Sequence, residues 1–192
     1  MKPASKRACS EPAANGMKRL MLVRHAKSSW SDARLADIDR PLSERGERDA
    51  PRMGERLRVR KARPSLILSS PAKRAKATAK VIARSIGYPE EFLQYERRVY
   101  SADYRTLLDI IAEQDDACSE LMLVAHNPSL TVLANQLAPE LDVDNVPTTG
   151  IVAIDFDVDH WADLAAVPGR VVYFDYPKNK ETPVPADRTA AK

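Results

Sequence analysis

Leu20-Met21-Leu22-Val23-Arg24-His25-Ala26-Lys27 is the segment from which the chain is best understood. Four apolar residues end abruptly in an arginine and a histidine. A short apolar run bounded by charge is the pattern of a strand buried on both faces, as in parallel sheets. In open α/β sheets, ligands bind just beyond the carboxyl ends of the strands. Arg24 and His25 are therefore expected in that crevice. An arginine there offers a planar fork of donors matched to phosphate or carboxylate. A histidine can act as a base or nucleophile near neutral pH. Taken alone, the segment also suits an ordinary strand-end arginine beside a surface histidine. The same pattern recurs twice downstream.

The first recurrence is Leu66-Ile67-Leu68 followed by Ser70-Pro71. The second is Leu121-Met122-Leu123-Val124-Ala125 followed by His126-Asn127-Pro128. Serine or asparagine before proline suggests a cap residue and then the first helical position. The helix after Pro71 carries Ala75, Ala79, Ile82 and Ile86 on one face, with Lys73, Lys76, Lys80 and Arg84 elsewhere. Gly87 and Pro89 end it. Another helix is capped by Ser43 and runs through Ala50, Met53 and Leu57, with Glu44 and Glu47 favourable near its start. Pro51 predicts an irregularity in it. Phe92–Glu96 is expected as a third strand, Asp103–Asp115 as a helix, and Leu130, Leu133 and Leu137 as the apolar face of a helix ending at Pro139. Ile151–Val158 and Arg170–Asp175 are two further strands, with Trp161 anchoring their connection. Strands alternating with helices predict a three-layer α/β/α sandwich around a mostly parallel central sheet. One of the last two strands is expected to run antiparallel, as edge strands of such sheets often do.

The chain has 192 residues, enough for one domain with a substantial core. Residues 1–17 lack periodicity and are expected to be a disordered extension, and Met17 is a possible alternative translation start. Residues 18–178 are the expected domain, and 179–192 a flexible tail. No apolar run approaches the ~20 residues that span a bilayer, so no membrane association is expected. Residues 1–16 have no apolar core of the kind an export signal needs. Cys9 and Cys118 form no CxxC motif, so a reduced, cytoplasmic compartment is the default expectation. A net charge of +3 gives little basis for a nucleic-acid partner.

Parallel strands deliver Arg24-His25, Arg74 and His126 to one edge of the sheet. Helix N-termini there add partial positive charge and free N–H groups. Two arginines, two histidines and helix N-termini make an anion site, better suited to a phosphoryl group than to a carboxylate. The site contains no obvious acid to hold a cation, so no metal and no cofactor are expected. Phosphoryl transfer asks mainly for positioning and charge stabilisation. One histidine could attack phosphorus through a neutral ring nitrogen, kept neutral by the neighbouring arginines. A general acid for the leaving group is missing from this set.

Three blocks together resemble the histidine phosphatase (phosphoglycerate mutase-like) superfamily. They are Arg24-His25-Ala26 after a strand, Ser70-Pro71-Ala72-Lys73-Arg74-Ala75 with Thr78-Ala79, and His126-Asn127-Pro128. Within that superfamily, Arg24-His25-Ala26-Lys27-Ser28-Ser29-Trp30 and Asp39-Arg40-Pro41-Leu42-Ser43-Glu44-Arg45-Gly46 resemble the small SixA-type phosphohistidine phosphatases. The resemblance covers about 18–176. It implies that His25 is the phosphorylated nucleophile, that Arg24, Arg74 and His126 form the phosphate pocket, and that the reaction needs no metal. Larger members use a carboxylate after the third strand, for which Glu96 is the candidate acid and Asp103 the second candidate. Arg40 is expected to brace the loop or contact substrate. Lys27 and Ser28 lie near the site without an assigned role.

Asp155-Phe156-Asp157-Val158-Asp159 fails as an EF-hand, because its sixth and twelfth positions are His160 and Ala166. Its alternation with Ile154, Phe156 and Val158 suits a half-exposed strand. Neither cysteine precedes an arginine at the spacing of cysteine phosphatases. The three histidines lack zinc-ligand spacing. The expected function is thus a metal-independent phosphatase acting on protein phosphohistidine. The alternatives are a phosphatase of a small phosphorylated metabolite, a mutase, or a non-catalytic phosphate-binding module. A mutase must shield its intermediate from water, and the chain lacks lid-sized insertions.

Overall fold

The computed structural model describes residues 16–180. The expectations for residues 1–15 and 181–192 lie outside the described residues. Six strands form one sheet in the order β3-β2-β4-β1-β5-β6. They are β1 (Met17–Arg24), β2 (Leu66–Ser69), β3 (Gln94–Tyr95), β4 (Glu120–Ala125), β5 (Ile151–Asp157) and β6 (Arg170–Asp175). The helices are α1 (Glu44–Val59), α2 (Lys73–Ile86), α3 (Tyr104–Ala112) and α4 (Ser129–Leu137).

Strand periodicity explains the three layers. Leu20 and Leu22 of β1 join the core beneath α3 and α4, while Met21 and Val23 join the core beneath α1 and α2. All four are essentially fully buried. Each such side chain contributes about 1.5–3 kcal/mol of transfer free energy. The strand that carries the candidate nucleophile is therefore also the centre of the hydrophobic structure.

β1 pairs in parallel with β4, β4 with β2, and β2 with β3. The reversed strand is β5, antiparallel to both β1 and β6, and it lies inside the sheet rather than at its edge. The reason is the path of the chain. Residues 142–150 return to the edge where β1 ends, and Gly150 accepts the N–H of Arg24 there at 3.0 Å. β5 must start from that edge and run backwards.

Several local expectations change. Pro51 sits inside α1 without ending it. The third strand is only Gln94–Tyr95, preceded by a 3-10 turn over Glu90–Phe92. Met17 lies within β1 rather than before it. Asp155 is buried, not half-exposed, because Arg19 binds it through two donors at 2.6 and 2.7 Å and Arg170 adds a third at 3.1 Å. Asn179, placed in the expected tail, gives its carbonyl to Arg56 at 2.8 Å.

Candidate active site

Strand register assembles the site. Arg24 is opposite Ala125, so His25 and His126 leave adjacent parallel strands at the same level. Their rings lie 4.9 Å apart, centroid to centroid. Ser69 is opposite Val124, which puts Ser70 beside the same exit. α2 follows, with Arg74 buried in its first turn.

His25 is buried. Its Nδ1 donates to the Ala26 carbonyl at 2.7 Å, leaving the lone pair on Nε2. Nε2 accepts from Arg74 Nε at 3.3 Å. Burial, and then the charges of Arg74, Arg24 and Arg40, push the pKa of His25 down to about 4. The ring is therefore neutral at pH 7, with its unprotonated nitrogen facing the pocket.

Arg74 is held by a residue that sequence reasoning missed. Its Nη1 donates to the Asp37 carbonyl at 2.5 Å and its Nη2 to Asp37 Oδ2 at 2.8 Å. This occupies the outer end of the guanidinium. The remaining edge, Nε with Nη2, faces His25 Nε2 at 3.3 Å and His126 Nδ1 at 3.5 Å. Asp37 thus turns a bidentate donor edge toward the gap between the histidines, the geometry that suits a phosphoryl group. Asp37 starts a 3-10 turn (Asp37–Asp39) and also accepts from Arg40 and from the Tyr100 hydroxyl at 2.8 Å. These donors hold its carboxyl well below the ordinary range despite the opposing effect of desolvation.

His126 is pushed down to about 3, mainly by burial and then by His25 and Arg74. Its Nε2 lies 2.7 Å from Ser70 Oγ. Ser70 is not the helix cap expected of it. α2 begins at Lys73, and the Ser70 hydroxyl accepts the Ala72 N–H at 3.2 Å while facing His126. Asn127 likewise does not cap α4; its Nδ2 donates to Asn145 Oδ1 and the Val146 carbonyl at 2.8 and 3.1 Å. Arg24 Nη1 donates to the same two acceptors at 3.1 and 2.8 Å. Thr149 completes this wall. Its N–H reaches the carbonyls of Arg24 and His25 at 3.1 and 3.3 Å, and its φ of 62° is strained for a β-branched residue. Arg24 Nε, Asn127 Oδ1 and Thr149 Oγ1 are buried without a hydrogen-bond partner among the described residues.

The structure therefore brings His25, Arg24, Arg74 and His126 together. It does not bring Glu96 to them. Glu96 caps a 3-10 turn (Arg97–Ser101) by accepting from the Arg98 N–H at 3.0 Å, and it pairs with Arg98 Nε at 3.2 Å. Those bonds lower its pKa, the wrong direction for a proton donor at neutral pH. Asp103 caps α3 through the Thr106 N–H at 2.8 Å and is lowered too. Arg40 is a brace, bound to Asp37 and to Ser28 Oγ at 2.9 Å. Lys27 offers its carbonyl to Ser43 N at 2.8 Å and so ties α1 to the end of β1. Gly46 permits this approach, since a Cβ there would lie 2.2 Å from the Lys27 oxygen. Among the described residues, no three His, Cys, Asp or Glu side chains are grouped to hold a metal ion, and no helix is long and apolar enough to cross a membrane.

Residues 20–100 match the family model of the histidine phosphatase superfamily, branch 1. An uncharacterized protein of Mycobacterium tuberculosis is 33% identical over 165 residues, spanning 81% of this chain and 100% of that protein. Among solved structures, a candidate phosphohistidine phosphatase SixA of Agrobacterium tumefaciens superposes with a TM-score of 0.71 at 29% identity, covering 88% of this chain and 100% of the other. A similarly described SixA from Nakamurella superposes at 0.72 with 22% identity and the same coverage, a likeness of fold.

Proposed function

This chain belongs to the histidine phosphatase superfamily, and from that premise we propose that it removes the phosphoryl group of a protein phosphohistidine through a covalent intermediate on His25. His25 Nε2 attacks phosphorus in line, forming a P–N bond as the bond to the leaving group breaks. Water then attacks the phosphorylated His25, releases orthophosphate and returns the neutral ring. The Nε/Nη2 edge of Arg74 and the guanidinium of Arg24 stabilise charge on the equatorial oxygens, so no metal is required in this scheme. His126 lines the pocket beside Arg74, with Nδ1 3.5 Å from Arg74 Nη2 and Nε2 held by Ser70 Oγ at 2.7 Å.

One observation carries the substrate class. The carboxylates expected to protonate a leaving group, Glu96 and Asp103, are both engaged as caps and both lowered in pKa. An alkoxide leaving group would need a proton donor. The imidazole of phosphohistidine departs with modest assistance, and a pocket without a free acid suits it.

Phosphate release in EDTA tests this, comparing wild type with His25→Ala on a phosphohistidine protein, a phosphoserine peptide and an aryl phosphate. Turnover on the phosphohistidine protein should survive EDTA and fall at least about a thousandfold in the variant. A metal requirement, or activity independent of His25, would overturn the mechanism. Preference for the aryl phosphate would move the substrate to a small metabolite.

A further inference from the structure

Trp30 is 72% exposed, more than any other large apolar side chain described. It is nevertheless held in place. Its ring lies on the Arg40 guanidinium, with Cζ 3.5 Å from the ring centroid. Arg40 is buried and bonded to Asp37 and Ser28. The base of the loop is closed by the Ser28–Leu42 bridge and by Ser29 N–H to the Pro41 carbonyl at 2.9 Å. One face of the indole is therefore covered and the other offered to solvent in a fixed orientation. Leu35, on the same loop, is 39% exposed. A rigid aromatic backed by arginine is the residue type that anchors interfaces, since little conformational entropy is lost when it is covered.

We propose that Trp30, backed by Arg40, is the platform on which the polypeptide flanking the phosphohistidine of a protein substrate docks. The proposal rests on the substrate class argued above. Two features select this occupant. The exposed apolar surface of Trp30 and Leu35 is on the order of 200 Å², far below the roughly 800 Å² per partner of a stable dimer, and it suits a transient encounter. The ring is also two hydrogen-bonded side chains, Arg40 and Asp37, removed from Arg74. A small phosphate ester seated on His25 has nothing to extend past those two side chains, whereas the polypeptide of a phosphorylated protein is long enough to reach the ring.

Kinetics of Trp30→Ala and Trp30→Phe test the platform, with a phosphoramidate-phosphorylated histidine protein and para-nitrophenyl phosphate as substrates. For the protein, Trp30→Ala should raise KM about tenfold with kcat within twofold, and Trp30→Phe should restore most of the loss. Para-nitrophenyl phosphate kinetics should not change. Iodide quenching provides a readout without turnover, because the only other tryptophan, Trp161, is fully buried. In the His25→Ala background the phosphoprotein should shield Trp30, and orthophosphate should not. Equal losses on both substrates would make Trp30 only a brace for Arg40 and overturn the proposal, as would no loss on either. If wild type does not turn over the phosphoprotein, the substrate reading fails first and the platform with it, a result visible without any variant.

Discussion

One buried and one half-buried histidine should make the protein's stability depend on pH in a way that can be dissected. His25 and His126 have ordinary values near 6.5 when unfolded, and about 4 and about 3 in the fold. A lowered folded pKa means the native rings stay neutral while the unfolded chain takes up protons. The stabilising contribution is therefore complete above about 6.5 and is lost as pH falls toward the folded values. Between pH 7 and pH 5, one unfolded histidine gains about 2 kcal/mol from protonation that its native counterpart forgoes. His25 should show this in full. His126 is less buried, so about 2 kcal/mol is its ceiling. Together they should cost the native state roughly 3–4 kcal/mol, a large share of an ordinary domain's stability. The assay is urea unfolding at both pH values in wild type and in His25→Gln/His126→Gln. Buffers must be free of phosphate, because an anion between Arg24 and Arg74 would stabilise the native state by mass action. Carboxylate contributions are common to both proteins and cancel. Equal losses in wild type and the double variant would refute the reasoning. Histidine NMR gives an independent check. Both rings should remain neutral at pH 5, while His160, raised by Asp116, titrates above the ordinary value.

Two further substitutions probe how the site is held. Asp37→Asn removes the charge that turns Arg74 toward the histidines; kcat should fall about tenfold, the scale of one charge-assisted hydrogen bond, while orthophosphate inhibition does not weaken, since a negative charge leaves the rim. Weaker orthophosphate binding would show that Asp37 builds the anion site rather than orienting it. Gly46→Ala places a Cβ 2.2 Å from the Lys27 carbonyl and should destabilise the fold by about 1–3 kcal/mol, with a loss of kcat because Lys27 follows the nucleophile by two residues; a fully stable, fully active variant would sink that account.

The strands, the helices and the clustering of His25, Arg24, Arg74 and His126 were legible because each rests on a local signal. Apolar runs end in polar residues, and parallel strands share a direction. What was not legible depends on contacts between distant segments. Asp37 is 37 residues from Arg74, with nothing around it to mark it as the partner. Ser70 has the sequence signature of a cap, and only the register of β2 against β4 turns its hydroxyl to His126. The reversed strand could be anticipated, but its position inside the sheet follows from where residues 142–150 return. Glu96 illustrates the opposite error. A carboxylate after the third strand is correctly located along the chain, but Arg98 two residues on captures it.

The arginines then account for the character of the site. Asp37 is taken by Arg74 and Arg40, and Glu96 by Arg98, while Asp103 is spent on a helix N-terminus. Each is held as a carboxylate, its pKa lowered. Both central histidines are held neutral. Among the described residues, the Tyr100 hydroxyl also lies beside them, and its pKa is raised by burial and by Asp37. Nucleophilicity and charge stabilisation are thus strong here and proton donation is weak. On the proposed mechanism, rate then depends on how well the leaving group departs unaided, which favours phosphorylated groups that need no proton to leave over simple phosphate esters, whatever molecule carries them.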